Sequence, residues 1–283
     1  MSSIILFSTD EKTHDLAKLM GITSVYLGSI FGSMPERAAG QYADKTFRDM
    51  MIAKVYCIQM VSMLGYDILF QDVDVVWYQN PLAWFHNTNS PHYGFDMYFQ
   101  DDGNHALFYA PYAANTGFYY VRNNEKTRYF FNSFLMHGDR ILASGSHQIP
   151  LIAHLSEHAS LHGLRVKTWN RDEEQFPGGY NFHSRKQKDF LKDLMSGNAI
   201  KRDTHVFHMS WTNSKVNKVK FYQQMGEWYL QDTCANREAS NIEVAASGCC
   251  AAEPIVTCHF RDKASKVPCK DSPPIDKGQG SWW

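Results

Sequence analysis

The sequence predicts an α/β fold with a mostly parallel sheet flanked by helices, because strand and helix patterns alternate along the first 80 residues. Short buried-strand patterns at residues 3–9, 23–27 and 67–71 are separated by amphipathic stretches at residues 11–20 and 47–64. Gly21 and Gly65 follow the two helical stretches and favour a stop there. Such alternation with short joints is typical of βαβ units and a parallel sheet.

Individual residues justify these early elements. Residues 3–9 (SIILFST) are largely apolar, and Asp10 is a suitable N-cap for the helix that follows. Residues 28–40 are rich in Gly and Ser and predict a linker. In the next helix, apolar residues recur at spacings of three and four. The strand over residues 67–71 then runs directly into Asp72 and Asp74.

The rest of the chain divides into a structured part and a loop-rich end. Strand patterns occur at residues 95–100, 117–122, 164–168 and 205–209, and helix patterns at residues 126–137, 147–158, 187–195 and 216–230. From residue 231 onward the periodicity stops, and Cys, Pro, Ser and Gly are frequent. We therefore predict one α/β domain over residues 1–230 and a loop-rich, Cys-containing C-terminal appendage over residues 231–283.

The composition excludes several classes of protein. The 283 residues are 44% hydrophobic and 20% charged, as in ordinary globular proteins. The 28 Lys and Arg nearly balance the 29 Asp and Glu, so no nucleic-acid-binding surface is expected. The sequence contains no run of 18 or more apolar residues that would predict a membrane span, and its N-terminus has no signal-peptide pattern.

The cysteines favour an oxidising compartment. Cys57 stands alone, whereas the other five lie near the C-terminus: Cys234, Cys249, Cys250, Cys258 and Cys269. None of these has the C-x2-C spacing of a zinc site, so we favour disulfides over metal binding, with free cytosolic thiols as the alternative. An oxidising compartment without a targeting segment predicts that the true N-terminus is missing from this sequence.

Asp72 and Asp74 are the most informative polar residues. They follow a buried strand, and open α/β sheets place their ligands at the carboxyl ends of strands. Carboxylate oxygens suit Mn²⁺ or Mg²⁺, and a buried carboxylate needs a compensating partner. The alternative is a pair of hydrated residues where the chain leaves the sheet.

Four blocks resemble a known family. The segment LGYDILFQDVDVVW, followed by Asn80-Pro81-Leu82, looks like the start of the nucleotide-diphospho-sugar transferase domain of glycosyltransferase family 77, of the plant and algal type. The later blocks are similar to that family's N-x-G, F-P-x-G and His…Lys…G-x-W segments. In this chain they are Asn115-Thr116-Gly117, Phe176-Pro177-Gly178-Gly179, and His208 with Lys218, Gly226 and Trp228.

The resemblance implies a GT-A-like, Rossmann-type fold and a metal-dependent, retaining hexosyl- or pentosyltransferase. Asp72, Asp74 and His208 would hold Mn²⁺ or Mg²⁺, and Asp72 would also contact the donor. Lys218 would neutralise the leaving diphosphate, with Lys215 as a competing candidate. The expected donor is a UDP-sugar, and the expected acceptor is a glycan or glycoprotein in the Golgi lumen. Membrane attachment would come only through a segment missing from this chain.

Four further residues complete the predicted site. Lys54 lies on the apolar face of its helix, where a charge must reach a partner or water. The resemblance implies that it contacts the donor diphosphate or sugar, and the alternative is a side chain that reaches solvent. Asn115 can accept from and donate to sugar hydroxyls, although a turn residue is the simpler interpretation. Asp101 and Asp102 end a strand pattern and could orient donor hydroxyls, and Asp102 is favoured because adjacent acids do not both point inward easily. Asp102 and Gln148 are assigned as catalytic, and by resemblance Gln148 would lie under the anomeric carbon.

Two departures from the family pattern stand out. The family carries Asp-Gln near the start of a later helix, where this chain has His147-Gln148, and this puts in doubt how the sugar or the acceptor is held. The chain also begins at what looks like the second strand–helix unit of a GT-A domain. We therefore expect its first unit to be missing.

Two other functions remain as alternatives. One is a non-catalytic module that binds nucleotide or sugar on a transferase scaffold. The other is a haloacid-dehalogenase-like phosphatase, because a D-x-D after a buried strand also resembles the start of that domain. Against the phosphatase, strands and helices precede the motif here, and the paired acids expected later in such a domain are missing.

Overall fold

The computed structural model describes residues 3–32, 34–35, 39–170, 173–184, 188–232, 248–258 and 263–269. The strands are β1 (Ile5–Ser8), β2 (Thr23–Tyr26), β3 (Ile68–Gln71), β4 (Val75–Trp77), β5 (Met97–Asp101), β6 (Ala114–Val121), β7 (Val166–Thr168) and β8 (Val206–His208). The α-helices are α1 (Glu11–Leu19), α2 (Gly28–Phe31), α3 (Lys45–Met63), α4 (Pro81–Phe85), α5 (Glu125–Met136), α6 (Gly138–Ser144), α7 (Gln148–His162), α8 (Gly179–His183), α9 (Lys188–Met195) and α10 (Lys215–Met225).

The strands form a four-stranded sheet and two strand pairs. The central sheet has the order β3-β6-β5-β7, while β1 pairs with β2 in parallel and β4 pairs with β8 antiparallel. The predicted α/β class is confirmed, but the central sheet is mixed rather than mostly parallel. Strand β6 runs antiparallel to both β3 and β5. Residues 102–113 join β5 to β6 without an α-helix, and an antiparallel neighbour needs no helical crossover.

The central sheet is buried on both faces. On one face, alternate residues of β5 and β6, including Phe99 and Tyr119, pack in a core with residues of α3, α5 and α7. On the other face, Tyr98, Phe118 and Tyr120 pack in an aromatic cluster with Trp169 and others. Because both faces are covered, these strands are almost continuously apolar. The sequence pattern revealed them for that reason.

Helix ends follow local capping chemistry. The predicted N-cap Asp10 accepts a hydrogen bond from the main-chain nitrogen of Thr13, at 2.8 Å. Helix α3 starts two residues before the predicted position, because the Asp44 side chain caps it. Helix α10 ends at Met225, five residues before the predicted end. Gly226 adopts a left-handed conformation there, with φ of +79°, and terminates the helix.

The described parts of the tail form loops that pack on α10. The main-chain nitrogen of Thr257 donates to Gln223 O at 3.2 Å, and that of Lys266 donates to Gln224 O at 2.9 Å. A disulfide joins Cys258 to Cys269, as the cysteine cluster predicted. Cys234 lies outside the described residues, and the boundary at residue 230 stays a prediction. No helix in the described ranges has the length and apolar character needed to cross a membrane.

Candidate active site

Strand ends from three pairings bring the predicted site residues together. The antiparallel β6 places its first residues beside the last residues of β3 and β5. The main-chain nitrogen of Asp72, just after β3, donates to Gly117 O in β6 at 2.7 Å. His208 at the end of β8 pairs with Val75 of β4, one residue after Asp74. The carboxyl ends of β3, β5 and β8 therefore meet the amino end of β6.

Asp72, Asp74 and His208 form a compact group of potential metal ligands. Each offers one ligand atom such that all three atoms lie within 4.8 Å of one another. His208 Nε2 lies 3.5 Å from Asp74 Oδ1. Two carboxylates and an imidazole form a ligand set that can hold a divalent cation.

Two lysines flank this group. Lys54 Nζ donates to Asp72 Oδ1 at 2.5 Å, so its ammonium group is paired although its side chain is 23% exposed. Lys218 Nζ donates to Asp74 Oδ2 at 2.6 Å. Lys215, the competing candidate, instead bonds to Ala39 O at 3.0 Å.

His208 and Lys218 lie against Asp74 and lower the pKa of its carboxyl. Burial raises the pKa of Asp74, but the protonated form of His208 and the ammonium group of Lys218 together lower it by more. The pKa of the Asp74 carboxyl therefore lies below its ordinary value. A carboxylate that stays negative at neutral pH is what cation binding requires.

Asp102, Asn115 and Gln148 form a second polar group. Asp102 Oδ1 accepts from Asn115 Nδ2 at 2.9 Å and from Gln148 Nε2 at 3.0 Å. Gln148 Oε1 in turn accepts from the main-chain nitrogen and the hydroxyl of Thr116, both at 3.1 Å. Burial raises the pKa of Asp102 despite the two amide donors. The structure thus joins the two predicted catalytic residues directly and ties both to β6.

His147, the departure from the family pattern, points away from this polar group. It is buried, and its Nδ1 lies 2.9 Å from the sulfur of Met51 on α3. Burial lowers the pKa of His147, and the nearby charge of Lys54 lowers it further. His147 is therefore a neutral core residue beside α3 and gives the site no negative charge.

Gly117 allows the side chains of Asp72 and His208 to pack directly against β6. A Cβ at this position would lie 2.9 Å from Asp72 Oδ2, 2.9 Å from His208 Nε2 and 2.4 Å from His208 Cε1. The glycine of the N-x-G block is required because a Cβ would overlap the side chains of His208 and Asp72. The residues present therefore fit a divalent cation held by Asp72, Asp74 and His208.

Three neighbours of the site were not predicted from the sequence. Gln100 of β5 accepts from His208. The Tyr222 hydroxyl donates to Asp74 O, and Trp211 Nε1 donates to Asp102 O. A sequence signal existed for Gln100, since a polar residue that ends the apolar run MYF must find a hydrogen-bond partner. The sequence offers no comparable signal for the other two.

The turn after Phe176 packs directly against His208. The main-chain nitrogen of His208 donates to Pro177 O at 3.2 Å, and Gly178 forms a parallel bridge with His208. A Cβ on Gly179 would lie 1.6 Å from Ser210 O, so only glycine allows this close approach. The F-P-x-G block therefore positions the strand that carries His208.

Comparisons with known proteins identify the family of this chain. The nucleotide-diphospho-sugar transferase family matches residues 1–222. The chain is 24% identical over 215 residues to the UDP-galactose:fucoside alpha-3-galactosyltransferase of Dictyostelium discoideum, which covers 69% of this chain and 30% of that relative. It is 26% identical over 137 residues to an uncharacterized protein of Arabidopsis thaliana, covering 48% of this chain and 38% of the relative.

The chain spans less than two fifths of the length of either relative. The family match nevertheless covers most of this chain and includes the D-x-D, N-x-G and F-P-x-G blocks together with His208 and Lys218. The family expected from those blocks is therefore confirmed, and the chain belongs to the nucleotide-diphospho-sugar transferases.

Proposed function

We propose that this chain is a glycosyltransferase that moves a sugar, with retention of configuration, from a UDP-sugar to a glycan or glycoprotein acceptor. Asp72, Asp74 and His208 hold Mn²⁺ or Mg²⁺ in this proposal. The observation that carries it is the meeting of these three ligands in one space beside Gly117, flanked by two lysines.

The metal site and Lys218 act on the diphosphate of the donor. When bound, a divalent cation neutralises negative charge on the diphosphate. Breaking the bond between sugar and phosphate increases charge on the leaving group, and a preorganised cation stabilises that charge. Lys218 is held by Asp74 at 2.6 Å, which keeps its ammonium group beside the same space. Lys54 holds Asp72 in an equivalent way from α3.

Asp102, Asn115 and Gln148 hold the sugar in this proposal. Both amide donors converge on Oδ1 of Asp102, and within the described residues no hydrogen bond reaches Oδ2. That oxygen is available to accept from a donor hydroxyl. Gln148 is fixed at both ends of its amide, so it presents a rigid polar surface next to Asp102.

The named relative suggests the donor and the stereochemistry. Its name specifies UDP-galactose and an alpha-3 product. UDP-galactose carries its sugar in α-linkage, so an α-product requires retention. We extend both features to this chain as part of the proposal, together with a fucose-containing acceptor as the first to try.

The disulfide suggests the compartment in which the protein is located. The Cys258–Cys269 disulfide supports an oxidising compartment, since cytosolic thiols are kept reduced. We propose the secretory pathway and, within it, the Golgi lumen. The domain boundary near residue 230 belongs to the same proposal.

Transfer assays test the proposed activity. With Mn²⁺, a panel of UDP-sugars and a fucoside acceptor, we expect UDP release and an α-linked product, read from its anomeric proton coupling. Asp74→Asn removes a charged ligand, so the rate is expected to fall at least about 100-fold. The control Asp189→Asn changes an exposed carboxylate on α9 and should leave the rate unchanged.

The outcomes separate the alternative functions. Full activity in Asp74→Asn would contradict the proposed metal site. Donor binding without turnover on any acceptor would favour the non-catalytic alternative. Metal-dependent hydrolysis of a generic aryl phosphate would favour the phosphatase, although the family match assigns the chain to a different family.

A further inference from the structure

His208 is held by a side chain to which the proposed function gives no role. Its Nδ1 lies 2.8 Å from Oε1 of Gln100, the residue before the end of β5. The other end of that amide, Nε2, lies 2.9 Å from Phe176 O and 2.8 Å from Pro177 O. Gln100 is 1% exposed and His208 is 3% exposed, so water does not compete for these contacts.

These contacts determine which way the amide of Gln100 points. Main-chain carbonyl oxygens only accept hydrogen bonds, so the Nε2 end of the amide must face Phe176 and Pro177. The Oε1 end then faces His208. Because an amide oxygen also only accepts, the proton shared by the two side chains lies on His208 Nδ1. In the neutral ring, the lone pair is therefore on Nε2.

The lone pair on Nε2 points into the predicted metal site. His208 Nε2 lies 3.5 Å from Asp74 Oδ1, and it would lie 2.9 Å from a Cβ placed on Gly117. A neutral Nε2 and a carboxylate oxygen both accept, so they gain nothing from each other. Both atoms would act as ligands of a divalent cation, which would accept an electron pair from each.

We propose that Gln100 is a positioning residue for the metal site, which fixes the Nδ1–H tautomer and the ring orientation of His208. The F-P-x-G turn supplies the two carbonyls that orient Gln100, so the turn acts on the metal through Gln100 and His208. Partners that hold a ligating histidine in this way set metal affinity in many sites. The metal part of this inference rests on the proposed function, whereas the tautomer is a property of the metal-free chain.

Two measurements on the full chain test the proposal. A long-range ¹H–¹⁵N correlation spectrum of the metal-free protein at pH 8 shows which ring nitrogen carries the proton, with the His208 signal assigned by its loss in His208→Asn. Electron paramagnetic resonance of free Mn²⁺, in the presence of UDP, gives the metal affinity. The variants are Gln100→Met, which keeps the length but removes the amide, and Gln100→Glu, which keeps an acceptor for Nδ1–H but loses both hydrogen bonds to Phe176 O and Pro177 O.

The control is Gln224→Met. Gln224 is equally buried, and its Nε2 donates to Ala264 O at 3.0 Å in the packing of the tail on α10. It tests whether loss of any buried glutamine lowers metal affinity through the fold. Circular dichroism checks that each variant is folded.

We expect the Nδ1–H tautomer in the wild type and in Gln100→Glu, and a shift toward Nε2–H in Gln100→Met. Mn²⁺ affinity should fall about 10- to 100-fold in Gln100→Met and stay unchanged in Gln224→Met. An Nε2–H tautomer in the wild type, or wild-type Mn²⁺ affinity in Gln100→Met, would overturn the proposal.

The two proposals fail in different ways. If the wild type shows the Nδ1–H tautomer but binds no Mn²⁺, the proposed metal site is wrong while the role of Gln100 in fixing the tautomer is upheld. If Mn²⁺ binds and Gln100→Met binds it equally well, the metal site is upheld and Gln100 has no positioning role. The wild-type spectrum needs no variant, so it tests the tautomer even if Gln100→Met does not fold.

Discussion

Gly117 shows how a single residue type is required by the site rather than by the backbone. Its φ is not in the left-handed region that favours glycine, so a larger residue is sterically possible for the main chain alone. The constraint comes from Asp72 and His208, whose side chains occupy the space where a Cβ would project. His208 cannot move aside cheaply, because it is buried and held by Gln100.

We predict that Gly117→Ala loses metal binding. The added methyl group fills the space between the ligands and displaces His208, so Mn²⁺ affinity should fall at least about 10-fold, with a parallel loss of transfer. Calorimetric titration of Mn²⁺ measures the affinity. Gly138→Ala is the matched control, because a Cβ at Gly138 meets no atom within 4 Å. Equal Mn²⁺ affinity in Gly117→Ala and the wild type would show that the metal binds elsewhere.

The sequence predicted which residues belong to the site better than it predicted which side chains contact each other. The D-x-D after a buried strand identified Asp72 and Asp74 because the strand pattern and the acids are local features. Pairing of Lys54 with Asp72 depends on the packing of α3 against the end of β3, which periodicity does not specify. The same reason explains why Gln100 was not predicted as a neighbour of His208, which lies 108 residues away in sequence.

Helices α5 and α7 pack around a buried histidine pair outside the candidate site. His154 Nε2 lies 2.7 Å and His158 Nε2 lies 3.0 Å from the hydroxyl of Ser133, and the two rings are 4.3 Å apart. His137 lies beside them, and Glu157 approaches His154 at 3.6 Å. Burial, and then the charge of His158, lowers the pKa of His154 to about 4.

This pair predicts a loss of stability at mildly acidic pH. A histidine whose pKa is lowered in the folded state contributes its full stabilisation above the unfolded pKa, about 6.5, and that contribution declines as pH falls toward about 4. Between pH 7.5 and pH 5, the low pKa of His154 alone is expected to reduce the free energy of unfolding by about 2 kcal/mol. Denaturant unfolding at pH 7.5 and pH 5 measures the difference.

His154→Leu is expected to reduce this pH dependence, because leucine fills the site without titrating. His86→Gln, at the exposed C-cap of α4 and outside this group of histidines, is the control and should retain the wild-type dependence. If His154→Leu and the wild type lose equal stability between the two pH values, the buried pair is not the cause.

Elements with strong local signals were predicted well, and those that depend on pairing were not. The long helices α3, α5 and α7 carry apolar residues at helical spacing, and all three were located from the sequence to within a few residues. The short strand β4 was not predicted, because three residues carry too little pattern and its partner β8 lies far along the chain. The direction of β6 was also not predicted, since an apolar run looks the same in parallel and antiparallel sheets.

At the scale of the whole molecule, the site is assembled from segments that are distant in sequence. Residues 54, 72, 74, 102, 115, 148, 208 and 218 are brought to one edge of the sheet by the antiparallel β6 and by the pairing of β4 with β8. The sequence supplied the candidate residues, and the family resemblance supplied the roles expected of them. Their spatial relation required the fold.

The measurement that tests the central claim most directly is a calorimetric titration of UDP into the full chain, with and without Mn²⁺, compared with the same titration of Asp74→Asn. We predict that UDP binds the wild type only when Mn²⁺ is present, and that Asp74→Asn lowers the affinity at least about 10-fold. UDP binding of equal strength without Mn²⁺, or in Asp74→Asn with Mn²⁺, would contradict the assignment of Asp72, Asp74 and His208 as the metal site of a nucleotide-sugar transferase.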